Sequence, residues 1–207
     1  PNGINLDITK SKNFDFKKKY NLKSDFILFL GRFSKIKGLD TLIESINLLK
    51  NTIESKNIKL VIMGVEFGFE SEMSNMIKKL NLKNIIKIIK NPPREDVIQA
   101  YRECKFLVHP SRWELSPLTP LEVFAFKKTV ISTTAHGIPF TIHHNKDCLL
   151  VEPDNPKLLS QSILNLINDE KKCIELGNSG HKLVVETCNS EQMAKNTLNM
   201  YEQLIKE

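Results

Sequence analysis

Two carboxylates, Glu114 and Glu122, stand eight positions apart around a segment that contains two Pro, one Ser and one Thr. An apolar run, residues 123–126, follows directly, which is typical of a loop that leads into a buried helix. Loops often carry binding and catalytic groups, and a helix N-terminus attracts anions. Carboxylates on both sides of an anion site could accept hydrogen bonds from the hydroxyl groups of a sugar.

The same spacing also has a purely structural interpretation. Thr119 can serve as a helix N-cap, Pro120 suits the first helical position, and Glu122 can complete a capping box. A helix that begins near Thr119 leaves the backbone N–H groups of Leu118 and Thr119 free to bind an anion. Spacing alone leaves both interpretations open.

A pair of cations follows the first apolar run of the chain. Arg32 comes directly after residues 26–30 and Gly31, and Lys37 precedes Gly38. The bidentate fork of Arg and the point charge of Lys together suit a diphosphate, although both could be ordinary surface cations. Neither a G-x-G-x-x-G fingerprint nor a Walker A motif is present, so neither of those phosphate loops is predicted.

Apolar runs and helical periodicities alternate along the chain, with short loops between them. This alternation predicts an α/β fold, a Rossmann-like parallel β-sheet with helices on both faces, followed by a C-terminal helical appendage. Ligands bind beyond the carboxyl ends of such strands, where the loops 31–38 and 109–119 are expected. The predicted strands are 26–30, 58–63, 85–89, 105–108, 129–132 and 148–151, and the predicted helices are 38–49, 70–80, 94–103, 119–127, 156–169, 170–186 and 190–206.

Composition narrows the class of protein. The 207 residues are 41% hydrophobic and 26% charged, as in soluble globular proteins, and no apolar run approaches the ~18 residues of a membrane span. The first five residues lack the features of a signal peptide, and the absence of an initiator Met suggests a piece of a longer protein.

The net charge of +6 comes mostly from Lys, with only four Arg in the chain. No surface rich in Arg and aromatic residues is apparent, so nucleic-acid binding is not expected. The densest basic run, Lys17–Lys19, is interpreted as a solvated segment, with a membrane-surface or nucleic-acid contact as the alternative.

The four Cys form no C-x-x-C pair, and the five His lack metal-ligand spacing. No Asp-x-Asp motif is present either. These patterns favour reduced thiols without a catalytic role and a site without a metal ion.

Taken together, Gly31-Arg32, Lys37-Gly38 and the Glu114/Glu122 pair, followed by residues 128–132 and 137–139, resemble the retaining glycosyltransferases of family 4, which have the GT-B fold. Residues 147–153 and the last helices are similar too, so the resemblance covers nearly the whole chain. Residues 1–5 resemble the joint at which the nucleotide-sugar-binding C-terminal half of these enzymes begins. The resemblance implies a lead-in over 1–25, a nucleotide-sugar-binding Rossmann-like domain over 26–186, and a C-terminal helix, 187–207, that packs toward a missing N-terminal domain.

The resemblance also implies roles for individual residues. Arg32 and Lys37 would hold the donor diphosphate, Glu122 the ribose and Glu114 the transferred sugar, which makes Arg32, Lys37 and Glu114 the expected catalytic residues. The expected donor-binding residues are Gly31, Arg32, Lys37, Gly64, Lys90, Glu114, Ser116, Leu118, Thr119 and Glu122.

The implied reaction is metal-independent transfer of a hexosyl group from a UDP-, GDP- or ADP-sugar to an acceptor hydroxyl, with retention of configuration. The acceptor, a glycan or lipid of the cell envelope, would be bound by the missing N-terminal domain. The enzyme would be cytoplasmic, with possible peripheral attachment to the membrane, and the 207 residues alone would be inactive or weakly active. A nucleotide-binding module without transfer activity and another GT-B enzyme, such as a nucleotide-sugar epimerase, are the alternatives.

The chain departs from the family pattern within the acidic segment. Leu115 and Pro117 replace small residues, and Pro117 has no N–H group to offer to a ligand. His136 stands beside Gly137, where it is either a ligand contact or an ordinary loop residue. These departures leave the identity of the sugar open.

Overall fold

A computed structural model describes residues 2–206, except for the side chain of Lys206, so Pro1 and Glu207 of the two predicted terminal segments lie outside the described residues. Its sheet has six parallel strands in the order β3-β2-β1-β4-β5-β6. The predicted α/β fold with a Rossmann-like parallel sheet is confirmed. The strands are β1 (Asp25–Leu30), β2 (Ile58–Gly64), β3 (Ile86–Lys90), β4 (Leu107–His109), β5 (Val130–Thr133) and β6 (Cys148–Val151).

Helices connect these strands and cover both faces of the sheet, and short 3₁₀ turns lie at Leu6–Lys10, Lys35–Lys37 and Ile138–Phe140. The α-helices are α1 (Phe16–Lys19), α2 (Leu39–Leu48), α3 (Lys50–Ser55), α4 (Glu70–Lys79), α5 (Arg94–Glu103), α6 (Leu118–Ala125), α7 (Pro156–Asn168), α8 (Glu170–Glu186) and α9 (Ser190–Lys206).

Strand β1 is a continuous apolar run because both of its faces are buried. Ile27 and Phe29 point into one core, shared with α2, α4 and α7. Phe26 and Leu28 point into a second core on the opposite face, shared with α1, α5, α6 and α8. Because successive side chains alternate between two buried faces, a central parallel strand has no polar positions in the middle.

The sequence did not predict two short helices. The helix predicted over 38–49 corresponds to α2, and a further helix, α3, begins directly after Leu49, whose backbone (φ −101°, ψ 8°) separates the two. The predicted lead-in, 1–25, contains α1, whose Phe16 is fully buried. Phe16 is the buried side chain of α1 and Ile53 that of α3, so neither helix has an apolar periodicity that could predict it.

The basic run is held by carboxylates of the folded chain rather than fully surrounded by solvent. Lys17 lies 2.7 Å from Asp25, and Lys19 lies 2.6 Å from the buried carboxylate of Asp96. These partners are 8 and 77 positions away in the sequence, so the fold pairs two of the three ammonium groups, while Lys18 and Lys19 stay exposed to solvent.

The strand order defines where a ligand would bind. From β1 the chain proceeds to β2 and β3 on one side, then returns to β4 on the other side of β1. The loops that follow β1 and β4 therefore leave the sheet in opposite directions and open a crevice between them. These loops, 31–38 and 110–117, contain Arg32, Lys37 and Glu114.

None of the helices in residues 2–206 combines the length and the apolar character needed to cross a bilayer.

Candidate functional site at the β1–β4 crevice

The loop after β1 brings Lys37 back over the end of its own strand. Gly38 follows the 3₁₀ turn with φ +67°, and a Cβ atom at this position would lie 2.0 Å from the carbonyl oxygen of Pro110. Only glycine allows this approach at a positive φ. A Cβ atom built on Gly31 would lie 3.9 Å from Cγ of Lys37, so the Lys37 side chain passes directly above the end of β1.

Lys37 and Glu114, 77 positions apart in the sequence, form an ion pair across the crevice. Both side chains are mostly buried, at 17% and 16% exposure. A third side chain belongs to the same cluster, because Nε2 of the buried His109 lies 3.3 Å from Oε1 of Glu114. The structure thus unites two of the three expected catalytic residues.

The neighbours of Glu114 keep it ionised. Burial alone would raise the pKa of Glu114, but hydrogen bonds from His109 and Lys37, together with their charges, lower that pKa from 4.5 to about 2. The carboxylate is therefore a permanent acceptor for hydroxyl groups at neutral pH.

Arg112 fixes the loop of Glu114 to the loop of Lys37. Its guanidinium group binds Asp40 at 2.8 and 2.9 Å and Asp154 at 2.6 Å, and it also donates to the carbonyl oxygen of Lys35. Its backbone N–H donates to the carbonyl oxygen of Ile36 over 2.8 Å. A bidentate pair of this kind sets orientation as well as distance, so Arg112 constrains the relative position of the two loops.

The predicted capping box is wrong. Helix α6 begins at Leu118 with Pro117 as N-cap, so Thr119 lies inside the first turn and makes no cap hydrogen bond. Pro117 is held in an extended conformation (φ −72°, ψ 126°), so the loop ends two residues earlier than the capping motif suggests. The predicted donors remain available, because neither Leu118 nor Thr119 donates its N–H to another group within residues 2–206.

Glu122 instead faces α5. Arg94 binds its two carboxylate oxygens at 2.5 and 3.1 Å, and the hydroxyl of Tyr101 donates to Oε2 over 2.8 Å. Burial, followed by the charge of Glu122, raises the pKa of Tyr101 well above its usual value, so the phenol stays a hydrogen-bond donor. A carboxylate accepts about four hydrogen bonds, so Glu122 retains capacity for a ligand hydroxyl.

Arg32 stacks on an aromatic ring of the loop after β2. Its guanidinium carbon is 4.5 Å from the ring centroid of the exposed Phe67, which follows β2. Arg32 makes no ion pair or side-chain hydrogen bond within residues 2–206. Stacking on an aromatic ring leaves all its N–H groups free for an anion.

The other predicted donor-binding residues have structural partners. Gly64 supports the first loop, because a Cβ atom there would lie 1.8 Å from the carbonyl oxygen of Gly31. Lys90 pairs with Glu70 at the start of α4. Ser116 accepts a 3.0 Å hydrogen bond from the backbone N–H of Asn2. Their roles toward a donor stay predictions.

Two residues after β5, His136 and Gly137, lie next to the acidic segment. His136 is exposed, has a positive φ of 46°, and its ring lies 5.9 Å from that of Trp113. Gly137 donates its N–H to the carbonyl oxygen of Glu114 over 2.8 Å, so the loop after β5 supports the acidic segment.

Four side chains that contact the predicted residues were not singled out by their sequence pattern: His109, Arg94, Tyr101 and Arg112. His109 lies at the end of β4 within the predicted ligand edge, so its position alone could have suggested it. Arg94 follows Pro92 and Pro93 and resembles an ordinary first-turn residue of a helix. Only the packing of α5 against α6 shows that it reaches Glu122.

Residues 2–206 show neither a reactive thiol nor a preformed metal site. Burial raises the pKa of Cys104 to about 12 and that of Cys173 to about 11, which suppresses their thiolates. Within residues 2–206, no three His, Cys, Asp or Glu side chains are grouped so that they could hold a metal ion.

Comparison with known proteins agrees with this architecture. The six-stranded Rossmann-like sheet matches the fold of GT-B glycosyltransferases. The structure of Anabaena HepE in complex with UDP and glucose superposes with a TM-score of 0.86 at 18% identity, over 97% of this chain and 55% of HepE. This likeness shows the fold of the chain, which corresponds to about half of a GT-B-type structure.

The sequence defines the family of the chain. The profile described as “Glycosyl transferases group 1” matches residues 10–183, and the chain belongs to this family. It is 32% identical to the glycosyltransferase MJ1178 of Methanocaldococcus jannaschii over 86% of this chain and 46% of MJ1178. It is 27% identical to the capsular polysaccharide biosynthesis glycosyltransferase CapM of Staphylococcus aureus over 100% of this chain and 54% of CapM. The chain thus spans about half the length of these relatives.

Proposed function

We propose that the β1–β4 crevice binds a nucleoside-diphosphate sugar and presents it for transfer to an acceptor hydroxyl. The observation that carries this proposal is the ion pair between Lys37 and Glu114 at the crevice. Glu114 is also close in sequence to the two free N–H groups at the start of α6. Cations and free N–H groups suit phosphate oxygens, whereas an ionised carboxylate suits sugar hydroxyls. Few other ligands need both kinds of group side by side.

Each part of the donor is assigned to one part of the crevice. Arg32, Lys37 and the N–H groups of Leu118 and Thr119 bind the diphosphate. Glu122 binds the ribose, and Glu114 binds the transferred sugar. Four further residues border the donor through backbone or rim contacts: Gly31, Gly64, Lys90 and Ser116.

The chemical task of the site is to stabilise the leaving diphosphate. Negative charge accumulates on it as the bond to the sugar breaks, and Arg32, Lys37 and the N-terminus of α6 offset that charge without a divalent ion. We propose that the sugar is transferred with retention of configuration, in line with the resemblance to family 4. The free guanidinium of Arg32 and the position of Lys37 at the crevice support the assignment of these two cations to the diphosphate.

The biological setting is proposed from the relatives. HepE has been seen with UDP and glucose, which supports a nucleotide-sugar donor, and the name of CapM points to capsular polysaccharide. We propose a cytoplasmic hexosyltransferase of cell-envelope polysaccharide or glycolipid synthesis, with peripheral attachment to the membrane. The acceptor glycan or lipid would bind to a separate N-terminal domain, because the relatives are about twice as long as this chain.

A titration by thermal shift and calorimetry tests the donor proposal. UDP, GDP, ADP and their sugars are added separately to this chain, each with and without EDTA. We expect one nucleotide series to raise the Tm, its sugar to bind more tightly than the bare diphosphate, and EDTA to change neither. No response to any compound would contradict the proposal, and binding without preference for a sugar would favour a nucleotide-binding module.

A further inference from the structure

We propose that His109 is a positioning residue for the sugar, acting through Glu114. It holds one oxygen of the carboxylate, Oε1, and so directs the other oxygen, Oε2, toward a hydroxyl of the transferred sugar. This inference rests on the proposed function, because it deepens the role of Glu114 in donor binding.

The contacts of Glu114 are strongly asymmetric. Lys37 Nζ and His109 Nε2 both contact Oε1, and the Ser111 hydroxyl lies 3.4 Å from the same oxygen. By contrast, Oε2 makes no hydrogen bond within residues 2–206. A carboxylate that is held by one oxygen cannot rotate freely, and its other oxygen keeps its full capacity to accept hydrogen bonds.

Of the groups that contact Oε1, His109 is the best fixed. Its side chain is 4% exposed at the end of β4, between the apolar core and Glu114. Ser132 of the neighbouring strand lies 3.2 Å from Nδ1, and its hydroxyl also donates to the carbonyl oxygen of His109 over 2.9 Å. The register places His109 directly opposite Ser132, so the sheet itself sets the plane of the ring.

The groups that contact the two ring nitrogens limit which nitrogen of His109 carries a hydrogen. An ionised carboxylate can only accept, so Nε2 must carry a hydrogen for this contact to be favourable. The Ser132 hydroxyl has one proton, which it gives either to the carbonyl oxygen of His109, while accepting from Nδ1, or to Nδ1 itself. In both arrangements Nε2 can donate to Glu114.

Lys37 and Ser111 cannot replace this donor once the diphosphate is present. Lys37 is more exposed than His109 and is assigned to the diphosphate, which competes with Glu114 for its ammonium group. Ser111 has a single proton, and the carbonyl oxygens of Ile36 and Trp113 also lie within 3.1 and 3.2 Å of its hydroxyl. His109 alone has no competing acceptor at Nε2 within residues 2–206.

The test compares His109→Gln with His109→Asn. Gln places an amide N–H near the position of Nε2 and can still reach Glu114, whereas the shorter Asn reaches only Ser132. Calorimetry measures the Kd of the nucleoside diphosphate and of its sugar for each variant, with the nucleobase chosen by the wild-type titration. Thermal melting verifies that each variant is folded.

We expect His109→Asn to weaken binding of the nucleoside-diphosphate sugar by about 10-fold, as for the loss of one charge-assisted hydrogen bond. Binding of the bare diphosphate should change less than about 2-fold, and His109→Gln should restore most of the preference for the sugar. In a Glu114→Gln background, His109→Asn should have no further effect on that preference, because the two residues act as one unit.

Equal weakening of both ligands by His109→Asn, or no weakening of either, would overturn the inference. Should His109→Asn not fold, Ser132→Ala takes its place, with a smaller loss expected for the sugar compound only. A wild-type chain that does not distinguish the sugar from the bare diphosphate would instead reject the proposed function itself.

Discussion

At the scale of single residues, Lys37 and Glu114 combine burial with charge pairing. Both side chains are mostly buried, and each contacts the opposite charge of the other. Glu114 keeps its low pKa although burial opposes ionisation, because His109 and Lys37 both favour the charged form. The pair is thus ready to exchange an internal contact for contacts to a ligand.

Replacing Lys37 by Ala in the complete enzyme should lower the transfer rate by about 10²–10³, as does the removal of one electrostatic donor in other enzymes. The control is Lys35→Ala, in the same 3₁₀ turn, whose ammonium group is exposed and pairs only with Glu72 on the surface. Steady-state kinetics should separate the two variants. Near-wild-type turnover of the Lys37 variant would reject its assignment to the diphosphate.

Replacing Glu122 by Gln should weaken nucleotide binding, because a neutral amide binds both Arg94 and a ribose hydroxyl less strongly. We expect a loss of about 1.5–3 kcal/mol in binding, the range for hydrogen bonds to a charged group. Calorimetry with the nucleoside diphosphate measures the effect, and the exposed Glu95→Gln in α5 is the control. Unchanged affinity together with lower stability would show that Glu122 only joins α5 to α6.

The low pKa of Glu114 predicts how stability depends on pH. The folded state lowers this pKa from 4.5 to about 2, so the carboxylate contributes stability above pH 4.5 and loses that contribution as the pH falls toward 2. Glu114→Gln should therefore be less stable than wild type at pH 7 by about 1–3 kcal/mol, with a smaller difference at pH 3. Urea unfolding at several pH values measures it, with the exposed Glu44→Gln as control. A difference that does not vary with pH would contradict this origin.

At the scale of elements, the crevice exists because the chain adds β2 and β3 on one side of β1 and then β4 on the other side. The loops after these strands would diverge without a connection, and Arg112 supplies it by contacting Asp40, Asp154 and the turn at Lys35. Glycines allow the close approach, as at Gly38 against Pro110. The site is therefore built on the ends of rigid strands rather than on free loops.

Replacing Arg112 by Lys should widen this crevice, because an ammonium group cannot reproduce the bidentate contact with Asp40. We expect both lower stability and a loss of nucleotide affinity of about 10-fold, a 1.4 kcal/mol effect typical of a charge-assisted hydrogen bond. Arg102→Lys is the matched control, since Arg102 binds the 9–11 segment away from the crevice. Equal effects of the two variants on nucleotide affinity would show that Arg112 has no special role in the site.

At the scale of the whole molecule, helix α9 has an exposed apolar side that includes Leu198, Tyr201, Leu204 and Ile205. This side fits the prediction that residues 187–207 pack toward another domain. The prediction that residues 1–25 form a lead-in also stays open, although Ile4 and Phe16 are buried against the domain core.

We expect this chain alone to bind the donor but to transfer sugar at a small fraction of the rate of the complete enzyme. The β1–β4 crevice, to which we assign the donor, is formed within the chain, whereas we assign the acceptor to a separate domain. Radiolabelled transfer assays with the chain and with the full-length enzyme measure the ratio. Comparable rates would show that the acceptor site also lies within these residues.

The order of strands and helices was predictable because each buried strand must be apolar on both faces, and each helix must repeat its apolar side every 3.6 residues. The candidate residues Arg32, Lys37, Glu114 and Glu122 were predictable because they follow strands or begin a helix at one edge of the sheet. Short helices and helix limits were less certain, as α3 and the start of α6 at Leu118 show.

The sequence by itself determined the α/β fold, the edge of the sheet at which the site lies, and the residue types available there. Local periodicity and strand-end position are properties of neighbouring residues, so they can be read along the chain. Only the tertiary structure decided which charges meet: Lys37 with Glu114 and His109, Glu122 with Arg94, and Arg112 with two Asp. These pairs join residues from different loops and helices, so their geometry depends on how the sheet and helices pack.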